Sequence, residues 1–382
     1  MISVSEMLQT AINILDVKEN DLHEFEVEDT FNGKTLHGVI SKRNDHRYGA
    51  LIIFAVDGIP CAPQVIYGTP KMHYPFDKTG VYKWPKINEL QAWEKLDGSN
   101  VLSFWYRDSL KHKWYVTYKT RLSPIIKDSS FGGFKTMWLE LLEDNPWIRD
   151  VIKKNPAYNL SFELYGSRNP ITIKYKEPLT TALLFGIERG THNIHPPKAL
   201  ILPKEVRLPA KVVYNKEDPT EFYNNMRASC SKANAEELTT EGLVLYVNNG
   251  ESWTQIKMKP EEIEKIHWSS GGIPANSIWT TCINAFEDRE EVDLPYVTEL
   301  LKEDFNDQQI IKSENRIKKI FSEARAHVVL TKQVNDVWAR ARSYGLDITE
   351  DKDATMRFMS NFFKKEDMRK VGTIVLKQAG LI

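Results

Sequence analysis

The sequence predicts an α+β protein, with antiparallel sheets and flanking helices in a first domain over residues 1–270 and an all-helical domain over residues 275–382. Short runs of β-branched and aromatic residues alternate with a few helical stretches between positions 90 and 260, as in α+β folds. Gly271-Gly272-Ile273-Pro274 interrupts this pattern and marks a boundary. Beyond it, apolar residues recur every three or four positions, which is the period of a helix.

The first 90 residues are predicted to be a β-rich extension of the first domain. Residues 5–16 carry apolar side chains at helical spacing and predict a short opening helix. Asn32-Gly33 separates the strand-like runs 25–28 and 36–40, which predicts a hairpin, and a further strand is expected over 49–56. Gly33-Lys34-Thr35 would suit a phosphate-binding loop only with glycine at position 28, where the chain has Glu28. The hairpin is therefore favoured.

The remaining elements follow from the same patterns. Strands are expected over 102–106, 114–118, 160–164, 182–187, 206–213 and 243–247, and helices over 134–142 and 221–231. In the C-terminal domain three helices are expected, the first with an apolar stripe from Ile310 to Val328, the second around Val334, Trp338 and Ala341, and the third over 356–363. These stripes predict core packing.

Composition indicates an ordinary soluble globular protein rather than a disulfide scaffold or a membrane protein. Of 382 residues, 41% are hydrophobic and 27% are charged, and the three cysteines show no Cys-x-x-Cys spacing, which argues against a disulfide framework. The longest apolar run is too short to span a bilayer, and no signal-peptide pattern is present, so a cytoplasmic protein is expected. The net charge of −1 does not indicate nucleic-acid binding, although residues 301–382 contain 16 Lys and Arg against 12 Asp and Glu.

Chemistry is suggested by an ordered series of short motifs that begins at Lys95-Leu96-Asp97-Gly98. Alone, this tetrapeptide is a weak signal, because Asp-Gly is a common turn. The motifs that follow it are Tyr118-Lys119-Thr120, Ser161-Phe162-Glu163-Leu164-Tyr165-Gly166, Leu183-Leu184-Phe185-Gly186-Ile187, Thr240-Glu241-Gly242-Leu243-Val244-Leu245 and Gln255-Ile256-Lys257-Met258-Lys259. The series resembles the covalent nucleotidyltransferases, which comprise RNA ligases, ATP-dependent DNA ligases and mRNA capping enzymes, over roughly residues 65 to 270.

Two details narrow the resemblance. DNA ligases and capping enzymes typically have an arginine shortly after the motif glycine, where this chain has Ser99-Asn100, so the chain looks like an RNA ligase. Residues 69–76, with Lys71 followed by aromatic residues, resemble phage RNA ligases of the tRNA-repair type, in which such a lysine lies near the phosphates. Arg47-Tyr48-Gly49 matches only approximately the arginine-glycine pair of that group, which leaves a role for Arg47 open.

The resemblance implies a nucleotide site and a role for each residue in it. Lys95 would be the nucleophile that carries AMP, Glu163 would contact the ribose and Phe185 would stack on adenine, with a core position as the alternative for Phe185. Lys119 would contact ribose or phosphates, with Arg121 as a competing candidate. Asp97 would support the turn, and Gly98 would allow a backbone conformation that other residues disfavour. Further nucleotide contacts are expected from Glu94, Lys71, Glu241, Lys257 and Lys259.

The lysines and carboxylates of these motifs have a chemical rationale. An exposed lysine is almost wholly protonated at neutral pH, so Lys95 needs a lowered pKa to act as a nucleophile. Lys257 and Lys259 are two residues apart and would share one face of a strand, where they would lower that pKa and neutralise the triphosphate. Glu241 and Glu163 are the expected ligands of Mg²⁺ or Mn²⁺.

The sequence therefore predicts an ATP-dependent RNA ligase with ATP and a divalent cation as cofactors. It would join 5′-phosphate and 3′-hydroxyl RNA ends through a lysyl-AMP intermediate and an RNA-adenylate. The alternatives are a DNA ligase, a capping-type guanylyltransferase, or an inactive RNA-binding relative. The natural RNA substrate, the oligomeric state and the role of the C-terminal domain stay open.

Overall fold

A computed structural model describes residues 4–43, 45–77, 80–128, 133–169, 171–235, 237–260, 263, 273–288, 291–302, 305, 307–379 and 381. These residues form two compact units, one up to residue 263 and the other from residue 273 onward. The first unit contains every described strand, and the second contains only helices. The architecture is the α+β arrangement that the sequence predicts.

An antiparallel sheet of four strands, in the order β1-β2-β3-β4, forms the N-terminal part of the first unit. Its strands are β1 (Leu22–Asp29), β2 (Lys34–Ser41), β3 (Leu51–Val56) and β4 (Ile59–Ile66), and helix α1 (Val4–Leu15) packs on it through Met7, Ala11 and Leu15. The predicted helix, hairpin and third strand are all present. Gly33 closes the hairpin with a φ of 61°, a conformation that glycine adopts at little cost.

Two further antiparallel sheets complete the first unit. One has the order β10-β9-β8-β6-β7 and the other the order β11-β5-β12-β13. Their strands are β5 (Glu89–Glu94), β6 (Ser99–Asp108), β7 (Lys113–Lys119), β8 (Tyr158–Tyr165), β9 (Thr180–Glu188), β10 (Ile194–His195), β11 (Lys211–Val212), β12 (Leu243–Asn248) and β13 (Trp253–Met258). The associated helices are α2 (Phe134–Asp144), α3 (Trp147–Lys154) and α4 (Pro219–Ala233).

Alternation along the strands divides the core of this region into layers. Helices α2 and α3 cover one face of the five-stranded sheet, where Trp138 and Ile148 pack against Phe162. The other face of that sheet meets the second sheet through Phe185 and Tyr246. Helix α4 covers the outer face of the second sheet with Phe222 and Tyr223. Each of these two sheets is thus buried on both faces, which explains why consecutive residues of its strands are mostly apolar.

The second unit contains helices α5 (Ala275–Asp288), α6 (Leu294–Leu301), α7 (Asp307–Ser343), α8 (Lys352–Met359) and α9 (Met368–Gln378). Helix α7 is continuous over 37 residues, so the prediction of two separate helices over this region is wrong. No glycine or proline interrupts it, and its apolar stripe changes partners, packing on α5 and α6 in its first half and on α8 and α9 in its second. Helix α8 also ends at Met359, before the predicted end at 363.

Other predicted boundaries differ from the structure. The strand expected over 206–213 is only the two-residue β11, because Pro209 interrupts that run and cannot donate to a sheet. Strands β4, β5 and β10 and helices α3, α5, α6 and α9 are not among the predicted elements. Gly271 and Gly272 of the expected boundary lie outside the described residues. No helix of the described chain has the length and apolar character needed to cross a membrane.

Candidate nucleotide site

The geometry of three strand ends brings Lys95, Glu241 and Lys259 together. Strands β5 and β12 are antiparallel neighbours with Glu94 opposite Leu243, so the residues just outside the pair, Lys95 and Gly242, also meet. The Lys95 amide donates to the Gly242 carbonyl at 2.9 Å. Strand β13 pairs with β12 on its other side and places Lys259 beyond its last residue. Motifs some 150 residues apart in sequence therefore converge at one edge of the sheet.

Glu241 binds two lysines at this edge. Its Oε2 atom accepts a short hydrogen bond from Lys95 Nζ, and its Oε1 atom is 2.8 Å from Lys259 Nζ. The Glu241 side chain is 5% exposed, while those of the two lysines are 16% and 15% exposed. A buried carboxylate needs such partners, because removal of a charge from water is costly unless it is paired.

Electrostatic coupling at this edge extends to Glu163 and Asp97. Burial raises the pKa of Glu163 to about 7, with Glu241 adding to the rise and Lys95 and Arg121 opposing it. Burial likewise raises the pKa of Asp97, with Glu241 adding to the rise. The pKa of Glu241 itself is lowered, because the attraction of Lys95 and Lys259 outweighs its burial.

The expectation that neighbouring lysines lower the pKa of Lys95 is wrong. Burial alone would lower this pKa, but Glu241 and Glu163 outweigh burial and raise it. Lys95 is therefore held as an ammonium ion. The sequence could not reveal this balance, since it depends on which carboxylates the fold brings to the amine.

Asp97 anchors the turn that follows Lys95. Its carboxylate accepts the backbone N–H groups of Thr172 and Ile173 at 2.5 and 2.7 Å, and its own N–H donates to the Tyr175 hydroxyl at 2.9 Å. The turn is thereby tied to the segment between β8 and β9. This agrees with the supporting role that the sequence predicts for Asp97.

Gly98 has a different reason from the one predicted. Its φ does not lie in the left-handed region, so no special backbone conformation requires glycine. A Cβ atom at this position would instead lie 2.3 Å from the Leu164 carbonyl oxygen of the adjacent strand. Gly242 is constrained in both ways, with a φ of 123° and a Cβ position 2.0 Å from the Met258 carbonyl oxygen. Both glycines allow backbones beside the site to approach closely.

Asn100 is the centre of a hydrogen-bond network on β6. Its side-chain amide donates to the Ser161 hydroxyl at 2.8 Å and to the Phe162 carbonyl at 3.2 Å, and its Oδ1 atom accepts from the Thr69 hydroxyl at 2.6 Å. Asn100 also lies opposite Glu163 in the strand register. This residue therefore links three segments beside Glu163. An arginine could not replace it in this network, because a guanidinium has no acceptor atom for the Thr69 hydroxyl.

The two basic candidates, Lys119 at the end of β7 and Arg121 just after it, have different environments. Lys119 is fully buried, and its amine donates to the carbonyls of Thr120 and Arg121 at 2.8 Å each. Arg121 acts on the charge of Glu163, and its guanidinium lies 5.7 Å from the Tyr48 ring. The Nε atom of Arg121 is buried and has no hydrogen-bond partner among the described residues. This geometry favours Arg121 over Lys119 as the basic group available to a ligand.

Phe185 lies on the face of the five-stranded sheet that meets the second sheet. It is 2% exposed, and its ring contacts that of Tyr246 at a centroid distance of 6.4 Å. It is thus a core residue here. Gly186 leaves no room beside the Phe185 ring, because its Cβ position faces Tyr158 and Leu200 at 3.0–3.3 Å. Neighbouring residues of a strand point to opposite faces, which separates the two.

The remaining predicted residues lie at the margins of this cluster. Lys257 Nζ lies 4.6 Å from the Tyr74 ring centroid. The pKa of His73 is lowered, mainly by burial and also by the positive charges of Lys71 and Lys257. The Glu94 backbone pairs with Ala210, its N–H donating to the Ala210 carbonyl at 2.7 Å. Arg47 binds Asp45 and two carbonyl groups of α1 and the following turn, which is a structural role.

The residues present can hold a divalent cation only together with a ligand. Among the described residues no three His, Cys, Asp or Glu side chains form a metal site. Mg²⁺ commonly binds one or two carboxylates plus substrate phosphates and keeps several waters. The Glu241 and Glu163 carboxylates fit this mode, and their charge is at present balanced by Lys95, Lys259 and Arg121.

Comparison with known proteins gives structural likeness alone. No protein-family model matches the chain, and no curated protein matches it in sequence. Two crystal forms of an archaeal ATP-dependent RNA ligase are similar, with TM-scores of 0.48 and 0.45 at 15% and 16% identity, covering 88% and 81% of this chain and 79% and 81% of the other. A protein from Aquifex aeolicus described as an ATP-dependent DNA ligase has a TM-score of 0.43 at 14% identity, with 99% of both chains covered. At these values the likenesses carry no functional assignment, which rests on the residues of the site.

Proposed function

We propose that this protein is an ATP-dependent RNA ligase that forms a lysyl-AMP intermediate on Lys95. The observation that carries the proposal is the convergence of Lys95, Glu241 and Lys259 at one edge of a sheet, from motifs far apart in sequence. Glu163 of the neighbouring sheet is close enough to act on the charge of Lys95. Buried ionisable groups with strongly altered pKa values in one cluster are typical of catalytic sites. The order of these motifs along the chain resembles that of the covalent nucleotidyltransferases.

The proposed first step is attack by the Lys95 amine on the α-phosphorus of ATP. An N–P bond forms, the bond to the bridging oxygen breaks, and pyrophosphate leaves with the electron pair. The Lys95 ammonium must lose one proton to expose the lone pair that attacks, and the nitrogen loses a second proton as the phosphoramidate forms. Both protons pass to solvent, and Lys95 has to leave its hydrogen bond to Glu241 before the first is lost.

Lys257 and Lys259 are proposed to bind the phosphates and to offset charge in the transition state. Preorganised cations in a site with little water are worth far more than the same groups in bulk solvent. Glu241 and Glu163 would hold Mg²⁺ or Mn²⁺ against the phosphates. When bound, that ion acts as a Lewis acid on the phosphoryl oxygens.

In the two later steps AMP would pass from Lys95 to a 5′-phosphorylated RNA end, and a 3′-hydroxyl would then displace it. The preference for RNA is proposed from Asn100, which occupies the position of the arginine in DNA ligases and capping enzymes. Its side chain binds Thr69, Ser161 and the Phe162 carbonyl beside Glu163. The proposal also includes a domain boundary near residue 270. Residues 275–382 would form a second domain that contributes to RNA binding.

The test supplies the protein with α-labelled ATP or GTP, Mg²⁺ or Mn²⁺, and 5′-phosphorylated RNA or DNA of one sequence. We expect labelled protein with ATP alone, and labelled RNA-adenylate followed by sealed RNA when the strands are added. Labelling by GTP alone would indicate a capping-type enzyme. Transfer to DNA and not to RNA would contradict the RNA part of the proposal, and no label in any arm would contradict the whole.

A further inference from the structure

Four aromatic side chains form a continuous row on the surface of the first unit. We call Tyr74, Phe76, Tyr82 and Trp84 the aromatic ridge. Ring centroids of successive members are 5.1, 5.6 and 6.2 Å apart, and each of the four side chains is partly exposed. The row arises because residues two apart in extended chain share a face, and an antiparallel bridge joins Phe76 to Tyr82.

The ridge is fixed in place from below. The buried ring of Tyr223 on α4 contacts Phe76, Tyr82 and Trp84 edge-on at 6.2, 5.8 and 6.1 Å. The Tyr82 hydroxyl donates to Asn224 Oδ1 at 2.7 Å, and Trp84 Nε1 donates to the Thr220 hydroxyl at 2.9 Å. The ring edges are thus held by hydrogen bonds, so a ligand that stacks on the ridge would pay little for ordering these side chains.

One end of the ridge meets the candidate nucleotide site. Lys257 Nζ lies 4.6 Å from the Tyr74 ring centroid, and the Lys257 N–H donates to the His73 carbonyl at 2.9 Å. Lys71 is close enough to act on the charge of His73, as Lys257 does. The aromatic row therefore begins beside Lys257, which the proposed function assigns to phosphates.

We propose that the aromatic ridge binds the bases of a single-stranded nucleic acid whose backbone passes Lys71 and Lys257. This inference rests on the proposed function and adds to it the kind of strand that the protein joins. Proteins that bind single strands combine a row of aromatic side chains with neighbouring cations, and stacking contributes about 1–3 kcal/mol per base. A duplex keeps its bases stacked on each other and could not use such a row.

A packing role is the alternative, since the ridge also covers Tyr223. The two roles differ in what they require of the ligand. Stacking needs bases, whereas a ridge that only supports the fold would affect every ligand alike. Substitution of Tyr82 and Trp84 by leucine keeps apolar volume over Tyr223 and removes the aromatic faces.

The experiment measures Kd of the full chain for a short 5′-phosphorylated oligouridylate and for an abasic strand of equal length. We expect Tyr82→Leu and Trp84→Leu each to weaken oligouridylate binding about tenfold and to leave abasic binding unchanged. Equal loss for both strands, or no loss for either, would overturn the inference. An unlabelled duplex that competes as well as the single strand would also overturn it. If the leucine substitutions weaken binding of an oligodeoxyuridylate to the same extent, this would support stacking and show that the ridge does not select ribose.

Two controls use the same unit. Trp114→Leu removes a tryptophan that is 46% exposed and lies 4.1 Å from the Arg189 guanidinium, away from the ridge, and should bind both strands like wild type. Tyr82→Phe keeps the ring and loses only the hydrogen bond to Asn224, so it should also bind like wild type. Loss of base-dependent binding in Trp114→Leu would contradict the assignment of stacking to the ridge.

A measurement without substitutions covers the case in which a leucine variant does not fold. Photocrosslinking of wild-type protein to a 4-thiouridine oligonucleotide should label the peptides that carry the ridge, and labelling exclusively elsewhere would overturn the inference. AMP-adduct formation is measured in parallel. If no AMP adduct forms but binding still depends on the bases, the proposed function is contradicted and the inference about the ridge is not. If the adduct forms normally but the leucine variants bind the oligonucleotide like wild type, the inference about the ridge is contradicted and the proposed function is not.

Discussion

At the scale of single residues, Glu241 determines the resting state of the candidate site. Its two carboxylate oxygens are bound to Lys95 and Lys259, and the pKa of Lys95 is raised as a result. The protein therefore holds its proposed nucleophile in protonated form. A cation that binds Glu241 would compete with Lys95 for this carboxylate and lower the pKa of Lys95, which would link binding of the cofactor to activation of the amine.

Lys257→Ala and Lys259→Ala should each slow adduct formation on the order of a hundredfold, because each removes a preorganised charge from the phosphates. Single-turnover labelling with α-labelled ATP measures the rate. Lys198→Ala is a suitable control, since Lys198 is exposed and pairs with Glu89 away from the cluster. Wild-type rates in both variants would show that these lysines are not phosphate ligands.

Glu163→Gln should stabilise the protein at alkaline pH. The pKa of Glu163 is raised by burial to about 7, above the ordinary value of 4.5, so its ionisation destabilises the folded state as pH rises from about 4.5 to 7. Glutamine does not ionise, and the variant should gain about 2–3 kcal/mol over wild type above pH 7 and almost nothing below pH 4.5. Denaturant unfolding at several pH values measures this difference. A difference that is constant with pH would contradict the raised pKa.

At the scale of elements, pairing of β5, β12 and β13 creates the site. The order of these strands places the residue after β5, the residues before β12 and the residue after β13 at one sheet edge. Close backbone approach at Gly98 and Gly242 is part of this arrangement. The strands thus act as the scaffold that positions Lys95, Glu241 and Lys259.

Gly242→Ala should therefore disrupt the site more than Gly33→Ala, although both glycines have positive φ. At Gly33 no atom lies within 4 Å of an added Cβ, so the cost is backbone strain of about 1–2 kcal/mol. At Gly242 the added Cβ would lie 2.0 Å from the Met258 carbonyl, and β12 must move from β13. Thermal unfolding and adduct formation should both fall in Gly242→Ala, whereas Gly33→Ala should retain adduct formation. Equal behaviour would contradict the scaffold role.

The sequence was informative about elements that have local signals. The opening helix, the Asn32-Gly33 hairpin, strands β6 to β9 and helices α2 and α4 follow from periodicity and turn residues. Helix α7 was divided wrongly, since its stripe changes partners without any break in the helix. The meeting of Lys95 with Glu241 could not be derived from periodicity, because it depends on strand order. Arg121 had no local signal that distinguishes it from Lys119.

At the scale of the whole molecule, the two units differ in composition and in proposed role. All residues of the candidate site lie in the first unit. In the second, several basic residues have partners within the protein: Arg316 donates to the Ile273 carbonyl, and Lys318 pairs with Glu314. The Arg342 guanidinium lies 4.5 Å from the Trp338 ring.

Removal of residues after Gly272 should preserve adduct formation and impair transfer to RNA. The first unit has its own cores and sheets, so we expect it to bind ATP without the second. Labelling with ATP and RNA sealing are measured on the truncated and the full chain over a range of salt concentrations, because phosphate contacts make RNA binding salt-dependent. A soluble truncated protein that seals RNA as well as the full chain would contradict an RNA role of the second unit.

The central claim is covalent chemistry at Lys95, and intact-mass spectrometry tests it most directly. Wild-type protein incubated with ATP and Mg²⁺ or Mn²⁺ should gain the mass of one AMP, lose it in acid, and carry it on the peptide that contains Lys95. Lys95→Arg is the matched variant, since it keeps a cation for Glu241 but cannot lose its proton near neutral pH. The account predicts no mass gain in this variant. An AMP adduct that persists in Lys95→Arg, or that maps to another residue in wild type, would contradict it.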